Sequence, residues 1–318
     1  MNTLELRQHL AAGGAVLFDL SARAKFTLTG ADRVRYLNGQ VSNDVRRLRS
    51  EAGAEALSAC VMNAKGKMNG FVWISAGPEC LRLDADTGGD LEEFREAFTA
   101  RLERYIISDD VTLADTTGDF RLLHLLGVAP EALGPLPEGW EWRRARRYGA
   151  RREGIDLLGP KEGQGSLPLP EPLRKIIREA DAETEEVFRI EEGIPRWGAE
   201  LNENTLPAEA GLDVSAIDFH KGCYIGQEVI SRIKSVGRVN RRLCSFVTTS
   251  ASAPLPQPGA LLRDGEQEAG VITSAAWSFT LEKGVALGYL KRGIDASKLI
   301  AGSTEVEVLE GPVAPLLG

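Results

Sequence analysis

The chain has 318 residues, a formal net charge of −8 and four cysteines, with 43% hydrophobic and 26% charged residues. That length exceeds one ordinary core and points to two or three domains, while the composition is that of a soluble globular protein. The acidic balance argues against a globally basic nucleic-acid binder. The longest apolar runs, such as Leu122 to Ala129, are far too short to span a bilayer, so no membrane association is expected. The N-terminal stretch carries Glu5 and Arg7 and no apolar h-region, which gives a cytoplasmic expectation. Cys60, Cys80, Cys223 and Cys244 show no CxxC spacing, so neither a cysteine-built metal site nor a disulfide framework is expected.

In chain order, Thr3 to Ala12 reads as a short helix ending at Gly13-Gly14. Ala15 to Ser21 and Lys25 to Gly30 read as strands. Asp32 then reads as the N-cap of a helix with Val34, Leu37 and Val41 on one face. Ala54 to Met62 is a strand or buried segment leading into a turn, NAKGKMNG, over Asn63 to Gly70. Phe71 to Ser75 and Cys80 to Asp86 are strands, Leu91 to Ile106 is an amphipathic helix, and Asp109 to Asp115 is a returning strand. This rhythm suggests a ferredoxin-like layer. A second unit begins near Thr116, with a strand, a hairpin over Trp140 to Pro160 and a linker, KEGQGSLPLPEP. A helical stretch follows over Glu171 to Gly193, interrupted near Ala180 to Ala182. From Arg242 the chain turns to short, Gly-punctuated β segments, which predict a small barrel or sandwich.

The stretch KGCYIGQEVISRIKSVGRVNRRL, Lys221 to Leu243, concentrates the chemistry. Glycines on both sides of Cys223 suit a tight loop that presents a thiol. Lys221 and a helix beginning near Gln227 would both favour thiolate. The alternative is that Cys223 is a small buried hydrophobe. His220 stands three residues away, as a second group for the thiol or as a solvated loop residue. Arg143, Arg144, Arg146, Arg147, Arg151 and Arg152 form one basic cluster and Arg232 to Arg242 another. Such clusters bind nucleic-acid phosphates or a polyglutamate tail, or form solvated faces.

The run KGCYIGQE, together with RIEEGIPRWGAELNENTLPAEAGLD upstream of it, closely resembles the YgfZ family. These are folate-binding proteins within the glycine-cleavage T-protein, or aminomethyltransferase, superfamily. The resemblance implies an α+β, T-protein-like fold. Two ferredoxin-like layers over residues 1–240, with a sub-boundary near 116, would form a folate cleft, and a C-terminal β-barrel would cover 241–318. It implies tetrahydrofolate, or a polyglutamylated one-carbon derivative, as cofactor. It also implies iron–sulfur client or assembly proteins as partners, with tRNA modification affected through them or tRNA bound directly.

The same resemblance assigns Cys223 and Lys221 to the reactive loop, with nucleophile, transient cluster ligand and redox thiol all open for Cys223. Arg189 would be a folate contact; the residues alone equally suit an ion pair with Glu185 or Glu186. Glu153 would bond the pterin edge, and Trp197 would wall the ligand or pack in the core. In the superfamily an Asp follows the Asn-X-X-Gly turn and supports aminomethyl transfer. Here Gly70 stands in its place, and no carboxylate lies between Cys60 and Glu79. General acid–base work on a leaving amine needs a titratable group within reach, so glycine-cleavage chemistry is not expected.

Overall fold

The computed structural model describes residues 1–149, 152–161, 169–237, 239–309 and 311–317. Helix α1 (Thr3–Ala11) starts at Asn2, whose side chain caps the Glu5 N–H while Glu5 reaches back to the Asn2 N–H. Strands β1 (Ala15–Asp19) and β2 (Ala24–Thr29) follow, then α2 (Arg33–Gln40), β3 (Leu57–Met62), β4 (Met68–Ala76), β5 (Leu81–Ala85), α3 (Leu91–Glu103) and β6 (Thr112–Asp115). The first sheet has the order β3-β4-β5-β2-β6 and is antiparallel throughout. Helices α2 and α3 share one core with it: Leu37, Phe94, Phe98 and Leu102 pack with Phe26, Val72 and Ile74. Asp90 caps α3 through the Glu93 N–H at 2.9 Å. Asp32 does occupy the position before α2, but its side chain makes no cap; its Oδ2 accepts the Asp110 N–H instead.

Strands β7 (Phe120–Leu126), β8 (Glu141–Ala145) and β9 (Gly154–Pro160) are followed by α4 (Glu171–Ile176), β10 (Ile177–Ala180) and α5 (Ala182–Glu191). The second sheet, β10-β1-β7-β9-β8, takes its second strand from the N-terminus, so the two layers interleave along the chain. The helix expected over Glu171 to Gly193 is broken earlier than its sequence suggests. Ile177–Ala180 pairs in parallel with Ala15–Phe18, and the open edge of β1 overrides helical propensity there. The expected hairpin forms as β8–β9, antiparallel. Most of the expected linker, residues 162–168, lies outside the described residues, as do Ala150, Arg151 and Arg238.

The chain then forms α6 (Gln227–Val236) and a closed barrel of β11 (Arg241–Thr248), β12 (Leu261–Asp264), β13 (Gln267–Ser278), β14 (Lys283–Lys291), β15 (Lys298–Ala301) and β16 (Thr304–Leu309). The small barrel or sandwich expected from Arg242 onwards forms as this closed barrel. Buried polar ties pin the barrel to the helices. Glu191 on α5 accepts from Thr3, Arg7 and Ser278, and Glu200 accepts from Arg189, Thr273 and Ser274.

Candidate functional site

The two motifs singled out in the sequence meet in space. The turn after β3 runs only from Asn63 to Lys67, and Met68, Asn69 and Gly70 already belong to β4. The Lys221–Gly226 loop and the first turn of α6 lie against it. Gly226 takes φ +88°, and a Cβ there would stand 2.8 Å from the Asn63 carbonyl oxygen. Gly66 takes φ +71°, and a Cβ there would stand 3.0 Å from Val229. Both glycines are therefore required by conformation and by contact.

Lys221 fixes the other side of the loop. Its ammonium donates to the carbonyls of Asn38 (2.7 Å), Val41 (2.6 Å) and Asn43 (2.7 Å), and the Ile225 N–H donates to the Gly39 carbonyl at 3.2 Å. The loop thus caps the C-terminus of α2, where unpaired carbonyls and the helix dipole favour a cation. Burial pushes the Lys221 pKa down to about 8, opposed by the nearby Asp44 carboxylate. Its three donors are all engaged, so Lys221 acts as the anchor of the loop. Tyr224 is the second anchor, buried in a cluster with Met62, Met68, Ile217 and Ile230, with the Lys221 ammonium 5.0 Å from its ring centre.

Between these two buried anchors Gly222 and Cys223 are exposed. Among the four free cysteines, Cys60 and Cys244 are buried and Cys80 is half-buried. Burial pushes the Cys60 thiol up to about 12 and raises that of Cys244 as well. Alkylation of the native protein should therefore label Cys223 while Cys60 and Cys244 stay unmodified until the chain is unfolded; peptide mapping by mass spectrometry reads this directly. His220 is exposed, and its backbone N–H turns back to Asp218 at 2.8 Å. No hydrogen bond joins its ring to Cys223 among the described residues.

The other inherited residues are placed differently. Arg189 is 4% exposed, and its guanidinium donates to Glu186 (2.7 and 2.5 Å), Glu200 (3.0 Å), the Ile194 carbonyl (3.1 Å) and Ser274 (2.7 Å). All five donors are matched, so it ties α5 to the barrel rather than offering a fork to a ligand. Glu153 is a surface residue paired with Arg146 at 2.9 Å and Arg144 at 3.7 Å. Trp197 meets Phe94 edge-on at 5.9 Å and packs between the first-sheet core and the Tyr224 cluster, which is a packing role. Lys221 and Cys223 are brought together; Arg189, Glu153 and Trp197 are not gathered around them.

The arginine cluster of β8–β9 is largely consumed by the fold. Arg143 and Arg147 are buried, and Arg152 pairs with Glu192 at 2.7 Å. Arg147 bridges the sheets, bonding Asp156 and Asp84; Arg23 joins Asp84, and His124 joins Asp156 at 2.7 Å. Sequence reasoning missed this network. Its signal was an acid, Asp156, set inside the apolar strand Ile155 to Leu158 at an inward-facing position.

Alternation along β4 turns Gly70 towards α3, where a Cβ would stand 2.8 Å from the Phe98 ring, while Asn69 and Phe71 look the other way and are half-exposed. The Asn69 Oδ1 is buried with no hydrogen-bond partner. No helix among the described residues is long and apolar enough to cross a membrane.

Two interleaved sheets closed by a barrel are the architecture of the aminomethyltransferase T proteins. The glycine cleavage system aminomethyltransferase T from Bartonella henselae superposes with a TM-score of 0.76 over 97% of this chain and 89% of its own, at 17% identity. The glycine cleavage T-protein C-terminal barrel domain matches residues 241–315. Within that fold class the chain belongs to the YgfZ family: it is 31% identical over 261 residues to the tRNA-modifying protein YgfZ of Escherichia coli O157:H7, covering 76% of this chain and 74% of that protein. An aminomethyltransferase of Rubrobacter xylanophilus is 26% identical over 319 residues, covering 94% of this chain and 80% of its own.

Proposed function

We propose that this chain binds a reduced folate against the Asn69–Phe71 face of β4 and acts through the exposed thiol of Cys223 in the assembly or repair of iron–sulfur enzymes, with tRNA modification affected through those enzymes. The observation that carries this reading is the docking of the Lys221–Gly226 loop on the Asn63–Lys67 turn. Two buried anchors hold the loop, and the thiol is exposed between them. A loop built for packing would bury its cysteine; this one is braced on both flanks and exposes it. The pattern suits a thiol that meets another molecule.

The residues fit a folate in part. The orphaned Asn69 Oδ1 is an acceptor for the N–H edge of a pterin, and the half-exposed Phe71 gives an apolar floor beside it. The carboxylate that would serve aminomethyl transfer is absent, so binding is assigned and no one-carbon step is. Direct RNA contact through Arg143 and Arg147 loses its residues to the sheet junction; exposed cations nearer Cys223, such as Lys65 and Arg232, would have to serve.

Calorimetry with tetrahydrofolate tests the reading, on wild type, Asn69→Ala and Cys223→Ser. Wild type should bind, Asn69→Ala should weaken binding by about tenfold, the worth of one buried hydrogen bond, and Cys223→Ser should bind like wild type. In cells lacking the endogenous protein, Cys223→Ser should nevertheless fail to restore iron–sulfur enzyme activity. Absence of binding by folded wild type would remove the folate half of the proposal. Full complementation by Cys223→Ser would remove the thiol half.

A further inference from the structure

Strand β4 has a longer half-exposed face than the two residues assigned to the folate. Alternation puts Asn69, Phe71, Trp73 and Ser75 on one side, each half-exposed, while Gly70, Val72 and Ile74 face α3. Successive members of that row stand about 6.5–7 Å apart. The row divides in the middle. Pairing with β5 begins at Val72, opposite Ala85, so Asn69 and Phe71 lie beyond the end of β5. Trp73 and Ser75 instead look into the junction between the two sheets, where they line a cavity with Arg147 and Asp156.

Arg147 fills most of that junction. It is buried, and its guanidinium stands 5.1 Å from the Trp73 ring centre. It is also held on two sides. Nε donates to both Asp156 oxygens (2.9 and 3.0 Å) and Nη2 to one of them (2.8 Å), while Nη1 and Nη2 donate to Asp84 (2.9 and 2.7 Å). Asp84 lies directly opposite Trp73 on the β4–β5 ladder, so neighbouring strands hold the guanidinium and the indole together. The space left between the sheets is about 40 Å³. A benzene ring needs a cavity of about 150 Å³. Waters fit here, and an aryl group does not.

A folate is longer than the open part of this face. Its pterin bicycle carries the N–H edge at one end. At the opposite end is the carbon that bears the p-aminobenzoyl-glutamate arm. With the N–H edge on the Asn69 Oδ1 and the bicycle on Phe71, that carbon reaches the step between Phe71 and Trp73. The arm is then directed at Trp73, where Arg147 leaves it no room. Moving Arg147 aside would part it from two buried carboxylates, which is costly.

We propose, resting on the folate site assigned above, that β4 recognises the reduced pterin bicycle alone, and that Trp73 and Arg147 form a stop that turns the p-aminobenzoyl-glutamate arm out into solvent. The ligand class is a tetrahydropterin, with or without the arm. Trp73 and Arg147 set specificity by occupying space and take no part in chemistry.

Anaerobic calorimetry on the full-length protein tests this with tetrahydrofolate, 6-methyltetrahydropterin and p-aminobenzoylglutamate. The methylpterin should bind within about threefold of tetrahydrofolate, and excess p-aminobenzoylglutamate should displace neither. A larger advantage for tetrahydrofolate, or displacement by p-aminobenzoylglutamate, overturns the stop while leaving the folate site standing. If neither reduced ligand binds the folded protein, the folate site itself falls and the stop falls with it. Trp73→Ala, checked for folding by circular dichroism, removes half of the stop and opens space for an aryl group. It should give tetrahydrofolate an advantage of about threefold or more over the methylpterin. A folded variant that still binds the two alike overturns the assignment to Trp73. The wild-type comparison decides the matter where the variant fails to fold.

Discussion

Arg147→Ala should lower the stability of this protein by about 3–5 kcal/mol, the usual result of removing one partner from a buried ionic cluster. Arg147 is buried between the sheets and is the shared partner of two carboxylates, Asp84 from β5 and Asp156 from β9. Its guanidinium also lies 5.1 Å from the Trp73 ring centre. Removing it leaves Asp84 with Arg23 and Asp156 with His124 as their side-chain partners and separates the layers at the point where they are joined. Arg147→Lys should recover only part of the loss, because an ammonium cannot reach both carboxylates as a fork does. Urea denaturation measures both; a loss below about 1 kcal/mol for Arg147→Ala would mean the cluster is not a joint, since that is the scale of surface pairs.

The pH dependence gives the same prediction a sign. Burial opposes ionisation of Asp156 and Asp84, but Arg147, with His124 beside Asp156 and Arg23 beside Asp84, outweighs it and holds both carboxyls below their ordinary range. In wild type their contribution is fully present above the ordinary Asp pKa, about 3.9, and is lost as pH falls through the folded-state values. Without Arg147 only the burial effect and weaker partners remain. Both folded-state pKa values should then rise, the folded state should bind more protons than the unfolded one, and stability should fall as pH rises. The deficit of Arg147→Ala relative to wild type should therefore shrink between pH 7 and about pH 5. A deficit that stays constant over that range would place the effect in lost packing rather than in charge.

What the sequence disclosed, and what it withheld, divides along one physical line. Local pattern located most elements, because alternation in β4 and the apolar stripe of α3 are written within a few residues of one another. The KGCYIGQE loop stood out because paired glycines and an adjacent lysine are a local signal too. The use of Lys221 was not local. Its three acceptors are some 180 residues upstream at the end of α2, and only the fold shows that the lysine caps that helix. Arg189 likewise reads as a surface ion pair with Glu186; that bond forms, but barrel closure buries it and adds Ser274 from the far side. The arginines of β8 and β9 looked like one basic patch because sequence adjacency does not reveal which way a strand residue points. Alternation sends Arg143 inward while Arg144 stays at the surface.

Gly70→Asp, which writes the superfamily's carboxylate back into the sequence, should destabilise the protein by about 3 kcal/mol or more and should not create aminomethyltransferase activity. The position faces the core. A Cβ there would stand 2.8 and 3.1 Å from two atoms of the Phe98 ring, which is 1% exposed and packed at 5.3 Å on Phe94 and 5.0 Å on Phe26. None of these rings can retreat without opening the α3 contact, and the new carboxylate would be buried against them. The opposite face of β4 accommodates a carboxylate without a steric clash, because Asn69 and Phe71 are half-exposed. Asn69→Asp is near-isosteric but charges an oxygen that is buried and unpaired, so it should cost about 1–3 kcal/mol, less than Gly70→Asp. It also converts the orphaned acceptor into an anion on the proposed folate face. With Phe98 filling the space over position 70, an acid introduced there is not expected to serve aminomethyl transfer. Thermal denaturation and an aminomethyl-transfer assay on the two variants decide this, and a stable, active Gly70→Asp would mean that β4 presents its other face to the ligand.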